Sequence, residues 1–181
     1  VEYSTGLYFA PNSDEASTQL IDFDIKFGDY AKNSTLILNA VSNSYNTVTG
    51  VMGTTSRLVV DNSIVNSIDV EKGQNNIVIY NKGRIVNSSF ANVPILQVKP
   101  DINIGTENKE VNGTIALYNL GGIIHQGGNI NTYGEFSHGI YNSAAKGTVG
   151  AVEYSSKSML DNDIDGVYNS LSIITNGNNS A

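Results

Sequence analysis

Asp161-Asn162-Asp163-Ile164-Asp165-Gly166 is the segment whose residue types and spacing come closest to a reactive site. Alternating carboxylates followed by glycine make the first half of a calcium loop, where hard oxygen ligands converge on the cation. The pattern fails at its twelfth position, Ser172, where the loop needs a bidentate Glu, and Val167 onward reads as strand. The segment therefore reads as a polar turn with its acids in water. Calcium held by Asp161, Asp163 and Asp165 is the alternative. His125 and His138 are the only histidines; no cysteine accompanies them and no acid stands four residues on. They read as solvent-facing or stacked side chains, not as a base or a metal pair. A lyase or hydrolase needs paired carboxylates, or acids with a basic partner. Here the acids are scattered: Asp22 and Asp24, Asp61, Glu71, Asp101, Glu107 and Glu110, Glu135 and Glu153. Asp61 and Asp69 are a pair that folding could bring together. Gly121-Gly122 and Gly127-Gly128 lack the Lys and helix of a phosphate loop and read as turns. No enzyme activity, metal or cofactor is expected.

The recurring pattern is a tag of an aliphatic residue followed by Tyr-Asn: Ile79-Tyr80-Asn81, Leu117-Tyr118-Asn119, Ile140-Tyr141-Asn142 and Val167-Tyr168-Asn169. Weaker copies are Leu38-Asn39-Ala40, Val60-Asp61-Asn62 and Val98-Lys99-Pro100. The tags end at positions 40, 62, 81, 100, 119, 142 and 169, at intervals of 22, 19, 19, 19, 23 and 27 residues. A repeat near 20 residues that tolerates insertions predicts stacked coils of chain. Strict alternation in a strand puts the aliphatic inside and the tyrosine outside. Tyr80, Tyr118, Tyr141 and Tyr168 are thus expected to form one exterior stripe, interrupted by Lys99. They form the candidate partner-binding surface, since tyrosine offers a flat face and a hydroxyl. The Asn is expected to make the bend, because it tolerates left-handed backbone, and to hydrogen-bond to its stacked neighbours.

The elements that would position this stripe are short strands. Leu38, Val60, Ile79, Val98, Leu117, Ile140 and Val167 are expected to stack in one aliphatic column, and Leu36, Leu58, Ile77, Leu96 and Ile115 in a second. Further apolar pairs follow each tag: Ile64-Val65, Ile85-Val86, Ile102 with Ile104, Ile123-Ile124 and Ile173-Ile174. Ile68 with Val70, Phe90 and Ile130 mark a third site. Three short strands per turn predict an all-β fold, a right-handed, single-stranded parallel β-helix (β-solenoid). It would have about seven or eight rungs of 19–27 residues and a length of roughly 35–40 Å. Asp22 to Phe27 alternates strictly, placing Ile21, Phe23, Ile25 and Phe27 on one face. Ser13-Asp14-Glu15-Ala16 reads as one helical turn or a loop. The whole of 1–181 reads as one β-helix segment, with 1–35 an atypical rung or insertion and 36–175 regular rungs.

Composition narrows the function. The chain has 181 residues, 40% of them hydrophobic, which is enough to bury a core. Only 15% are charged, cysteine and tryptophan are absent, and asparagine occurs 24 times. The net charge of −7 and the lack of any basic run exclude a nucleic-acid groove. No stretch approaches the ~18 apolar residues of a membrane span, and no series of alternating strands reads as a membrane barrel. The first residues carry no signal-peptide pattern. The sequence opens and closes within repeat-like text, so it is expected to be a piece of a longer chain.

Ile79-Tyr80-Asn81-Lys82-Gly83-Arg84-Ile85 and His138-Gly139-Ile140-Tyr141-Asn142 resemble rungs of the passenger domains of large Gram-negative autotransporter (type V secretion) adhesins. The cysteine-free, Asn-rich style over about residues 36–175 is similar to the same family. The resemblance carries no catalytic motif. It implies a right-handed β-helix at the cell surface, tethered to the outer membrane by a C-terminal barrel that these residues lack. The implied partner is a protein or glycan on a host or bacterial cell, and the implied role is to mediate or space attachment. A carbohydrate-active enzyme on a β-helix, and a stalk of another bacterial or phage fibre, are the rival readings. The widened intervals after Asn119 direct the search for a binding site to the outer face between Gly121 and Asp165.

Overall fold

A computed structural model describes residues 3–9, 18–40, 43–44, 57–63, 66–82, 85–86, 96–120, 123–142, 166–169 and 173–181. These residues form β-strands and connecting turns, without a helix. The lowest coil contains β1 (Thr5–Phe9) and β2 (Thr18–Ile21). Next come β3 (Thr35–Asn39), β4 (Asn43–Ser44), β5 (Arg57–Val60) and β6 (Ser67–Val70). Above them lie β7 (Ile77–Asn81), β8 (Ile85–Val86), β9 (Leu96–Val98) and β10 (Asp101–Ile104). The next coil has β11 (Ile115–Asn119), β12 (Ile123–Gln126) and β13 (Ile130–Tyr133). The last has β14 (His138–Asn142), β15 (Gly166–Asn169) and β16 (Ile173–Asn176). All strand pairing is parallel and each strand pairs with its counterpart one coil away, so the sheets run along the stack. The first sheet is β1-β3-β7-β11-β14, the second β2-β5-β9-β12-β15 and the third β6-β10-β13-β16, with β4-β8 as a short fourth sheet. This is the parallel β-solenoid that the alternating pattern predicts.

The register corrects the predicted columns. In the first sheet the inward column is Leu7, Ile37, Ile79, Leu117 and Ile140, with Ile37, Ile79 and Leu117 fully buried. Leu38 does not belong to it: Leu38 pairs with Tyr80, one place further on. Val60 and Val98 stack in the second sheet, and Val167 stands there over Ile124 in the column of Leu58 and Leu96. Consecutive tags thus fall on different sheets, and the spacing of 19 residues is half a coil. Stacked partners such as Ile37 and Ile79, or Ile79 and Leu117, are separated by two tag intervals. The coils are therefore longer and fewer than seven or eight of 19–27 residues. Five stacked strands span only about 20 Å at ~4.8 Å per step.

Leu36, Val78 and Ala116 are buried beside Ile37, Ile79 and Leu117, so the strands of the first sheet break alternation with two successive inward residues. Ile77 and Ile115, expected inside, instead pair with Thr35 and His138 in a half-buried column. The other two sheets complete the core with Leu58–Leu96, Val60–Val98, Ile68–Ile102–Ile130 and Val70–Ile104. Towards the upper coils the core turns polar: Gln126 succeeds Val98, and Thr132 succeeds Ile104, both buried. Hydrophobic stabilisation scales with apolar area removed from water, so it is concentrated in the lower and middle coils.

Bends and ladders divide the work of asparagine. Left-handed backbone occurs at Tyr3, Asn33, Asn75, Gly113, Phe136 and Asn179, a column just before the first sheet; tag residues Asn39, Asn81 and Asn119 are not among them. The next position, Ser4, Ser34, Asn76, Thr114 and Ser137, forms a polar ladder. The amide of Ser34 donates to Asn76 Oδ1 at 3.0 Å, and that of Thr114 to Ser137 Oγ at 3.2 Å. These side chains satisfy backbone donors that the bend takes out of the sheet. The tag asparagines are buried and form their own ladder. Asn39 Nδ2 donates to Asn81 Oδ1, and Asn81 Nδ2 to Asn119 Oδ1, each at 2.8 Å. The predicted stacking of asparagine is present, but the predicted bend lies elsewhere.

Residues 22–27 alternate as a strand would, yet none forms there. A cavity of about 520 Å³ lies between Asp24–Phe27 and the Ser67–Val70 edge, so the segment stands too far off for a ladder. Ile25 and Phe27 still pack on the core, while Phe23 is 48% exposed, against the shared face expected for them. Lys72 and Asp29 tie the segment down at 3.1 Å. The proposed helical turn at 13–16, Ile64-Val65 and Phe90 lie outside the described residues.

Candidate functional site

The outer face of the first sheet brings Tyr80, Tyr118 and Tyr141 together. They occupy paired positions on β7, β11 and β14, so the ladder fixes their spacing at one strand step. The Tyr80 and Tyr118 rings meet edge to face, with centroids 4.9 Å apart and planes at 72°. Tyr118 and Tyr141 stack with centroids 4.8 Å apart and planes at 13°. Both are favoured aromatic geometries. Lys82 Nζ lies 5.0 Å from the Tyr80 ring centroid, within cation–π range. Burial, with the neighbouring Tyr118 adding to it, pushes the Tyr80 hydroxyl above its ordinary value. It therefore remains a hydrogen-bond donor further into alkaline solution.

The stripe continues downward through Leu38 to Tyr8, which is 64% exposed. Sequence reasoning missed Tyr8; the signal was Leu7-Tyr8, a tag whose Asn is replaced by Phe9. Tyr168 is not in the stripe. It lies on β15 in the second sheet, paired with His125 on β12. Lys99 does not interrupt the stripe either, because it follows β9 in the second sheet and pairs with Asp61 at 3.0 Å. The half-buried column Thr35, Ile77, Ile115 and His138 runs beside the tyrosines. The face is thus apolar, rimmed by phenol hydroxyls and Lys82. Because Tyr118 and Tyr141 cover one another's ring faces, the stripe offers a partner mainly ring edges and hydroxyls.

The other candidates do not converge. Asp61 and Asp69 sit on different sides of the coil; Asp69 accepts from Ser67 Oγ at 3.0 Å and from Asn103 Nδ2 at 2.9 Å. His138 Nδ1 accepts the Ala181 amide at 3.1 Å on the first sheet, whereas His125 belongs to the second. Asp161, Asp163 and Asp165 lie outside the described residues, as do 121–122 and 143–165 of the region singled out after Asn119. Among the described residues, no group of three or more His, Asp or Glu could hold a metal ion, and no helix could cross a membrane.

The Asp61–Lys99 pair supplies a pH test. Ser63 and Lys99 hydrogen bonds hold Asp61 below the usual carboxylate value. A depressed folded-state value stabilises the fold above the unfolded-state value of about 4, and that contribution is lost as pH falls through the folded one. Lys99→Met should lower the melting temperature slightly near neutral pH, and the gap to wild type should close in acid. A gap that widens in acid contradicts the pairing.

No protein-family model, curated protein or solved structure matches this chain.

Proposed function

We propose that this chain is a segment of a surface-exposed bacterial autotransporter adhesin, a right-handed β-solenoid that mediates or spaces attachment to host or partner cells. Right-handedness follows from the strong preference of parallel β-crossovers for that hand. The observation that carries the reading is the in-register tyrosine stripe on a stacked parallel sheet. A solenoid repeats the same outward residue at every coil, so it builds an elongated contact surface rather than a reaction centre. The parent chain is held at the outer membrane by a barrel outside these residues, and the partner is a cell-surface protein or glycan. The chain itself acts without catalysis or a cofactor.

The test is adhesion of beads coated with the 181-residue chain to epithelial cells and to bacterial cells. Wild-type beads should adhere, and the Tyr80→Ser/Tyr118→Ser/Tyr141→Ser chain, checked for folding, should lose most of that adhesion. Adhesion unchanged by the triple substitution removes the stripe as the contact surface. Absence of adhesion by the wild type removes the adhesive role.

A further inference from the structure

We propose that Tyr118 and Tyr141 form an oxidative cross-linking site, where a one-electron oxidant joins the two rings as dityrosine and staples adjacent coils together. Their strands pair in register, so the two side chains leave the backbone one ladder step apart on the same face. Their rings are nearly parallel, with centroids 4.8 Å apart. Ring carbons ortho to the two hydroxyls therefore lie close before any oxidation, and modest rotation about the side-chain bonds brings them into bonding range. Tyr141 is 47% exposed and open to a diffusible oxidant.

The neighbouring pair is less suited. Tyr80 meets Tyr118 edge to face, at 72°. The Lys82 ammonium near the Tyr80 ring disfavours loss of an electron from it, and its hydroxyl holds its proton more firmly than usual. Tyr8 is separated from Tyr80 by Leu38. The structure thus selects one pair from a stripe of similar residues.

The chemistry balances without a group from the protein. Each phenol gives one electron to the oxidant and its hydroxyl proton to water. The two phenoxyl radicals join through a new carbon–carbon bond ortho to the oxygens. Each joined ring then shifts its displaced ring hydrogen to oxygen and regains aromaticity. Two phenols become one biphenol, with two electrons and two protons released. In a chain without cysteine, this joins two coils where no disulfide can. As with any cross-link, it restricts the unfolded chain and so favours the folded one.

The test uses the full 181-residue chain at low concentration with photolysed tris(bipyridine)ruthenium(II) and persulfate as the oxidant. Cleavage after Glu135 separates the two tyrosines, so the cross-link is recovered as two joined peptides lighter by two hydrogen atoms. The joined peptides and dityrosine fluorescence in the monomer band are expected from the folded wild type. Both should fall to near background in Tyr118→Phe and Tyr141→Phe, persist in Tyr80→Phe, and be lost when the wild type is oxidised in urea. Phe preserves the ring stack, and circular dichroism checks that each variant folds. Absence of the joined peptides from the folded wild type overturns the proposal. So does equal yield from the urea-unfolded chain, or monomer-band dityrosine unaffected by Tyr141→Phe.

Discussion

Ile79→Asp should unfold the protein or remove at least ~5 kcal/mol of its stability, whereas Tyr80→Ser one residue away should cost about 1–3 kcal/mol. Ile79 is fully buried in the middle of the first sheet, between Ile37 below and Leu117 above. Truncating such an aliphatic to alanine already costs about 2–5 kcal/mol through lost burial and an unfilled cavity. A carboxylate adds desolvation, because the surrounding core residues Val78, Leu96 and Leu117 offer no cation or donor side chain. Tyr80 is half-buried and loses one edge-to-face contact and the contact with Lys82. Urea unfolding followed by circular dichroism measures both. Equal losses would mean that Ile79 does not face the core. Ile77→Asp refines the test, since the register places Ile77 in a half-buried outer column and predicts a smaller loss than at Ile79.

The fold class was legible because inward and outward residues alternate in short runs bounded by turn residues. The size of the coil was not, because two strands of each coil carry similar text. Val60-Asp61 and Val98-Lys99 end strands of the second sheet as Ile79-Tyr80 and Leu117-Tyr118 end strands of the first. The distinction was present in the sequence: Tyr80, Tyr118 and Tyr141 carry the full tag, while positions 61 and 99 carry charges instead. Tyr168 defeats that rule, since it copies the tag on the second sheet. The Ser34–Asn76–Thr114–Ser137 ladder was illegible for a different reason. Its members share hydrogen-bonding ability but not identity, and uneven loops between coils hide their common phase. The segment from Asp22 to Phe27 shows the reverse failure. Its alternation is ideal, but a strand also needs a neighbour within reach, which a local pattern does not encode.

Asn81→Ala should cost about 3–5 kcal/mol, more than is usual for one uncharged polar side chain. Asn81 is fully buried, accepts from Asn39 Nδ2 and donates to Asn119 Oδ1, both at 2.8 Å. The substitution breaks two ladder bonds at once. It also takes an acceptor from Asn39 and a donor from Asn119 in sites without exposure to water. Each bond is worth only about 1 kcal/mol net, but each buried group deprived of its partner costs about 1–3 kcal/mol more. Asn131→Ala is the matched control. Asn131 Nδ2 donates to Asn103 Oδ1 at 3.0 Å in a similar ladder on the outer face of the third sheet, half-buried, where water replaces the bond. Its loss should be below about 1 kcal/mol. The buried ladder acts as a unit, so Asn39→Ala/Asn81→Ala/Asn119→Ala together should cost less than the sum of the three single changes. Urea denaturation of the four alanine variants and the triple decides it. An additive triple, or an Asn81 loss no larger than that at Asn131, would show that the asparagines act singly. The tag would then owe its recurrence to the tyrosines alone, and the inward aliphatic column would carry the coil without a polar ladder beside it.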